Sequence, residues 1–165
     1  MTIKTGDRLP AATFTIMTAD GPKPVTTDDV FKGRKVALFA VPGAYTPTCH
    51  KAHMPGFVGR VGELKAKGID AVACTAVNDA FVLANWAKDT GADGQITMLA
   101  DGNADFAKAV GLEIDLTKFG LGVRSKRYAM LVNDGVVEVL NVEETPSQHT
   151  VTSAETMCSM IDRSL

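Results

Sequence analysis

Surplus charge, paired cysteines and long apolar runs are all missing from this chain of 165 residues. Lys plus Arg number 17 against 19 Asp plus Glu, a net charge of -2. That balance gives no electrostatic reason to expect nucleic acid or an anionic membrane as partner. No apolar run approaches the roughly 18 residues that a membrane span needs. The opening MTIKTGDRLP contains neither an apolar targeting core nor an Arg- and Ser-rich amphipathic pattern. Cysteine occurs only at 49, 74 and 158, an odd number without CxxC spacing. That excludes a fully paired disulfide framework and offers no zinc-ribbon pattern. The expectation is a protein of a reducing compartment, the cytoplasm, where a cysteine is either buried filler or a reagent.

What is present is a core. With 45% of residues hydrophobic, residues 1–165 read as one domain that needs no disulfide or metal to hold it. KVALFAV (35–41) is apolar on both sides of the pleat, as in a covered central strand, and GIDAVACTAV (68–77) is similar. Between them, residues 48–67 carry Val58, Val61 and Leu64 at helical spacing. Strand, helix, strand in that order predicts a βαβ crossover and a parallel pair. A second helix is expected over 79–88 with Phe81, Val82 and Trp86 facing inward, then a short strand at 96–100 and a short helix over 104–110. RYAMLV and VVEVLNV flank Asn133-Asp134-Gly135, a strong hairpin signal. Thr152 and Glu155 fit a capping box opening a final helix to the C-terminus. This is the thioredoxin-like α/β order: a central mixed sheet flanked by helices, with an N-terminal strand extension around residues 13–27.

One stretch, VPGAYTPTCH (41–50), places a cysteine where an apolar run gives way to helical spacing. Thr46 suits an N-cap and Pro47 the first helical position, which makes Cys49 the third helical residue. Its sulfur then lies beside unsatisfied N–H groups and the positive end of the helix dipole. Helix starts and nearby cations favour the thiolate, so the position suits a nucleophile better than inert packing. A strand-to-helix turn at the carboxyl end of a parallel sheet is also where α/β folds bind ligands. Cys49, His50 and His53 form C-H-x-x-H, but no fourth ligand is evident, and no metal or other cofactor is expected. His53 is read as a packed or hydrogen-bonding histidine and His50 as solvated; His149, in a polar loop, has no visible role.

Pro42, Thr46 and Cys49 spell P-x-x-x-T-x-x-C, which resembles the active-site motif of the peroxiredoxins. With PGF (55–57), VNDAF (77–81), LAD (99–101) and RSKRYAMLV (124–132), the chain resembles the type II or 5-type subfamily from about residue 3 onward. The resemblance implies a thiol peroxidase that reduces hydrogen peroxide and organic hydroperoxides through a sulfenic acid on Cys49. Thr46 and the Cys49 amide would donate to peroxide oxygen, and Pro42 would shield the thiolate. Arg127 would be the active-site cation and Arg124 a secondary contact. It implies a homodimer too; a loop over 112–123 carrying Leu116, Phe119 and Leu121 is a candidate subunit contact or active-site wall. Cys74 stands where some type II members have a cysteine assigned the resolving role, whereas Cys158 does not match the C-terminal loop resolver of other relatives. An external thiol, glutathione with glutaredoxin or else thioredoxin, is therefore the preferred reductant. A thioredoxin-like dithiol oxidoreductase is disfavoured because position 46 is Thr where C-x-x-C needs a cysteine, and a non-turnover redox sensor or chaperone is the remaining alternative.

Overall fold

The structure, a computed structural model, describes residues 2–164. Alternation along the central strand β3 (Lys35–Ala40) organises the molecule. Ala37 and Phe39 face one apolar cluster while Val36, Leu38 and Ala40 face another. A strand buried on both faces must sit mid-sheet, and β3 does. It pairs in parallel with β4 (Ala71–Ala76), which pairs in parallel with β5 (Thr97–Ala100). On its other edge β3 runs antiparallel to β8 (Tyr128–Asn133), which turns at Asp134-Gly135 into β9 (Val136–Val142). The N-terminal hairpin of β1 (Thr13–Thr18) and β2 (Gly21–Thr26) adds beyond β5, giving the order β2-β1-β5-β4-β3-β8-β9. This is the mixed, thioredoxin-like arrangement read from the sequence.

Helices cover both faces. Helix α1 (Thr27–Phe31) and α5 (Asp105–Ala109) bury Val30, Phe31 and Phe106 on the face of Leu38. The opposite face receives α2 (Met54–Val58), α3 (Val61–Ala66), α4 (Ala80–Thr90) and α6 (Ala154–Ser164), with Phe57 stacked on Phe39 at 4.0 Å between ring centroids. Cys49 belongs to this second cluster.

Four expectations need correction. The helix expected over 48–67 is not continuous: a π-helical turn, Cys49–His53, leads into α2, and the chain breaks at Gly59-Arg60 before α3. Pro55 supplies a reason, since it has no N–H to offer the Lys51 carbonyl that a regular helix would bond there. In α4 the inward residues are Ala80, Leu83, Trp86 and Ala87; Phe81 is 61% exposed and Val82 half-buried. The cap of α6 falls one residue later than expected, with Ser153 Oγ accepting from Thr156 N at 3.1 Å. Buried Thr152 instead gives its hydroxyl to Glu143. Finally, the segment over 112–123 is ordered as two short strands, β6 (Glu113–Asp115) and β7 (Val123–Ser125), around a 3-10 turn. There Leu116 is buried and Phe119 is 70% exposed. The helix expected to reach the C-terminus is described through Ser164; Leu165 lies outside the described residues.

Candidate active site

Strand β3 delivers the chain to Pro42, and a tight turn follows in which Thr46 N donates to Gly43 O at 3.3 Å. Tyr45 takes a left-handed backbone (φ 65°) to make that turn, and Asn78 pins it by accepting from Ala44 N at 2.9 Å. Helical structure starts at Pro47, so Cys49 is the third residue of the run, as the spacing predicts. The capping expectation for the Thr46 side chain fails. Its hydroxyl lies 2.7 Å from Gly43 O and 2.8 Å from Cys49 Sγ rather than on a backbone N–H. A hydroxyl has one proton, so it serves one of these acceptors at a time. With a thiolate the sulfur is the better acceptor, because charge-assisted bonds are the stronger ones.

Arg127 reaches the same sulfur from the sheet. Side chains alternate along β8, so Ala129 and Leu131 face the Cys49 cluster, and Arg127, two residues before Ala129, shares their side. Only 2% exposed, it donates from Nη2 to Cys49 Sγ at 2.8 Å and from Nε to Pro146 O at 3.0 Å. Its Nη1 lies 2.8 Å from His53 Nδ1. Arginine has only donors, so this contact requires an Nδ1 lone pair and puts the His53 proton on Nε2, which meets Thr152 O at 2.9 Å. Burial, then the positive charge of Arg127, hold His53 well below the usual histidine range, which keeps it neutral and accepting. Both ring nitrogens are thereby engaged. His149 packs beside it in a tilted arrangement with centroids 4.7 Å apart, and burial and Arg127 lower its affinity for a proton as well.

The remaining candidates separate. Pro42 is buried with no N–H to compete at the sulfur, and its carbonyl accepts from Arg124 Nη1 at 3.2 Å. Arg124 is half-buried and ties down the Pro42 loop; its Nε bonds Leu121 O at 2.9 Å. Cys74 is fully buried in the apolar cluster that holds Cys49, with only a 4.0 Å approach to Thr75 O. Burial pushes its thiol well above the ordinary range. Cys158 is buried against the helices, and burial followed by the nearby Glu63 carboxylate raises its thiol too. His50 departs from its solvated reading, since its Nδ1 accepts from Trp86 Nε1 at 3.0 Å.

Cys49 itself is completely buried. The sequence reading also missed the turn glycine. A Cβ on Gly43 would stand 2.7 Å from Arg124 Nη1 and 3.2 Å from Thr46 Cγ2. Its neighbour Pro42 was the available signal. Asn78 falls within VNDAF, but nothing local marks its bond to Ala44 or the Trp86–His50 bond, because both join segments far apart in the chain.

Residues 4–158 match the redoxin family. A chloroplastic peroxiredoxin-2E-2 of Oryza sativa subsp. japonica is 52% identical over 161 residues, covering 94% of this chain and 71% of its own. The chain belongs to the type II peroxiredoxins. Peroxiredoxin-2C of Arabidopsis thaliana is 43% identical, covering 93% of this chain and 94% of its own. Among solved structures, reduced Prx3 of Vibrio vulnificus in complex with hydrogen peroxide superposes with a TM-score of 0.92. It shares 48% identity and covers 97% of this chain and 99% of that one. Peroxiredoxin 5 of Alvinella pompejana, at 34% identity, gives a TM-score of 0.85 over 98% and 99% of the two chains. As a peroxiredoxin, the protein is a thiol-dependent peroxidase with a peroxide substrate and a thiol-based reductant.

Proposed function

We propose that Cys49 is the peroxidatic nucleophile, with Arg127 and Thr46 as the donors that serve the reacting oxygens and Pro42 as the shield. The observation that carries this reading is the pair of hydrogen bonds at 2.8 Å on one buried sulfur, from Arg127 Nη2 and the Thr46 hydroxyl. Donors around sulfur favour its anion, and the same donors can follow negative charge as it moves to oxygen. The thiolate attacks one peroxide oxygen; an S–O bond forms as the O–O bond breaks. The second oxygen leaves as hydroxide or alkoxide and is protonated to water or alcohol. Sulfur has lost two electrons to the peroxide and ends as a sulfenic acid.

The reductant in this reading is an external thiol, glutathione with glutaredoxin or else thioredoxin. Its thiolate forms an S–S bond to Cys49 and water leaves; a second thiol attacks that mixed disulfide, regenerating Cys49 and carrying the oxidation away as its own disulfide. Burial of Cys74 in β4 supports this route over an internal disulfide, because bringing Cys74 out breaks strand pairing on both sides. A homodimer is part of the proposal, favoured by Phe119 and Phe81 at 70% and 61% exposure. So is a reducing compartment such as the cytoplasm, favoured by three free cysteines.

The test is steady-state peroxide consumption with glutathione plus glutaredoxin and, separately, with thioredoxin. The expected result is turnover with the first pair that survives Cys74→Ser. Loss of turnover in a folded Cys74→Ser protein, with a Cys49–Cys74 peptide dominating the oxidised wild type, overturns the external-thiol route. Sedimentation of Phe119→Glu tests the dimer; an unchanged mass for wild type and variant counts against that face.

A further inference from the structure

One acidic side chain near the active-site arginine is also buried and has more partners. Glu143 follows β9, is 6% exposed, and draws four donors onto its carboxylate. Oε2 accepts from Thr150 N at 2.9 Å, Thr152 N at 2.9 Å and the Thr152 hydroxyl at 2.6 Å. Oε1 accepts from the Thr150 hydroxyl at 3.0 Å. All four come from a segment seven to nine residues further along the chain, so the carboxylate closes residues 143–152 into a loop around itself.

Three carbonyls of that loop land on the active site. Pro146 O accepts from Arg127 Nε at 3.0 Å, and Thr152 O accepts from His53 Nε2 at 2.9 Å. Ser147 O accepts from the Thr48 hydroxyl at 3.1 Å, one residue before Cys49. On the strand side, Glu143 N donates to Arg127 O at 3.0 Å. Of the three groups bonded to the Arg127 guanidinium, the Cys49 sulfur is the reacting atom. The other two, Pro146 O and His53, are placed by the loop.

We propose that Glu143 is a positioning residue for the peroxidase reaction, its carboxylate folding residues 143–152 into the frame that aims Arg127 at Cys49. The inference rests on the reading of Cys49 and Arg127 as the reacting pair. The frame acts through two features. Pro146 O fixes the plane of the guanidinium. Thr152 O fixes the His53 tautomer, because a proton held on Nε2 leaves the Nδ1 lone pair for Arg127. Were Thr152 O to withdraw, His53 could shift its proton to Nδ1 and turn an acceptor for Arg127 into a competing donor. Nothing in the local sequence marks Glu143, since it reads as half of a Glu143-Glu144 surface pair.

The experiment measures the second-order rate of peroxide with reduced protein, followed by fluorescence of Trp86, the only tryptophan. Variants are Glu143→Ala, Glu143→Gln, Arg127→Ala and the Glu143→Ala/Arg127→Ala pair, each checked for folding by circular dichroism. Misaiming a catalytic group by about 1 Å costs on the order of 100-fold, so Glu143→Ala is expected to lose roughly 10- to 100-fold. Glu143→Gln should stay within about threefold. Its carbonyl keeps the three donors on Oε2, and the Thr150 hydroxyl rotates to accept from the amide. In the Arg127→Ala background, Glu143→Ala should remove no more than about twofold further, since a frame with nothing to aim has no effect. Equal loss in both backgrounds makes Glu143 an independent structural residue and overturns the proposal, as does a folded Glu143→Ala with wild-type rate. Should Glu143→Ala fail to fold, Thr152→Val removes one donor and leaves the backbone bonds. The same pattern, a smaller loss that vanishes without Arg127, is then expected, and its absence is equally fatal. Arg127→Ala retaining the wild-type rate refutes the underlying reading itself, whatever Glu143 does.

Discussion

Cys49 and Cys74 lie in the same apolar cluster, both with no exposed surface, yet they sit in opposite chemical surroundings. Cys49 opens a helical run and receives hydrogen bonds from Thr46 and Arg127. Cys74 stands mid-strand between Phe39 and Met98, and its thiol is pushed up by burial first and by the neighbouring Cys49 second. Burial alone raises the cost of any anion. What separates the two sulfurs is therefore the donors aimed at one of them, and a buried cysteine is neither reactive nor inert by virtue of its depth.

The comparison breaks most sharply at the sulfurs themselves. Cys49→Ser should abolish peroxide turnover, on the order of 10⁴-fold or more, as removal of a nucleophile does elsewhere. Cys74→Ser, assayed with an external thiol, should stay within about twofold, since losing an inert core thiol leaves the donors in place. Stopped-flow peroxide reduction on both variants decides this. A Cys74→Ser protein as dead as Cys49→Ser makes the two cysteines partners, and the contrast between them disappears.

Removing the donors one at a time should move Cys49 toward the situation of Cys74. Loss of one donor aimed at developing charge costs about 3 to 4 kcal/mol of barrier, or roughly 10²- to 10³-fold in rate. Thr46→Val should lose that much, and Thr46→Ser, which keeps the hydroxyl, should lose far less. Equal rates for the two folded variants would mean that the 2.8 Å approach of Thr46 to the sulfur serves packing alone.

How much of this contrast is written in the sequence depends on how local each feature is. Cys49 at the helix start follows from the Thr46-Pro47 placement, which acts over a few neighbours, whereas Arg127 enters through the resemblance and its place just before the hairpin's first strand. The π-helical turn at Cys49–His53 was readable in principle from Pro55, but the hydrophobic spacing of Val58, Val61 and Leu64 favoured one unbroken helix. Phe81, large and apolar, reads as inward, yet Leu83 and Ala87 share the helical face of Trp86 and Phe81 does not. The support of Arg127 by Pro146 and His53, and of His50 by Trp86, joins segments 19 to 74 residues apart. No local pattern encodes such pairings; they exist only once the sheet has set the register.

The two sites should also differ in acid. Neutral His53 holds Arg127 on Cys49, whereas among the described residues no group that titrates near neutrality bonds Cys74. Burial, then Arg127, lower the folded His53 affinity for protons below its ordinary value of 6.5. The unfolded chain then binds more protons in that window, so stability falls as pH drops from about 6.5 toward the folded value. His149, lowered by the same two causes, adds to the slope. His53→Gln can accept from Arg127 and donate to Thr152 O without titrating, so it should flatten part of the slope. Urea midpoints between pH 5 and 8 measure this, and an unchanged slope would show that His53 is not held neutral. A second loss, below the ordinary glutamate value of 4.5, is expected from Glu143. There hydrogen bonds from Thr152 and Thr150 outweigh burial and keep the carboxyl ionised.

The smallest effect should come from the other arginine. Arg124 does not touch the sulfur; it holds the turn that carries Thr46, through Pro42 O at 3.2 Å. Gly43 leaves room for it, and a methyl group there would meet Arg124 Nη1 at 2.7 Å. The obstructing atom is the free end of a long side chain, so it can swing aside, giving up one hydrogen bond of about 1 kcal/mol. Thr46 Cγ2, at 3.2 Å, need give by only a few tenths of an ångström, so its hydroxyl can stay on Cys49. Gly43→Ala should therefore slow peroxide reduction only severalfold and lower stability by about 1 kcal/mol. Arg124→Ala should do about the same, and the two together little more than either alone, because both remove one contact. Full additivity would show that Gly43→Ala acts through Thr46 instead, and the loss should then follow peroxide rate rather than the urea midpoint.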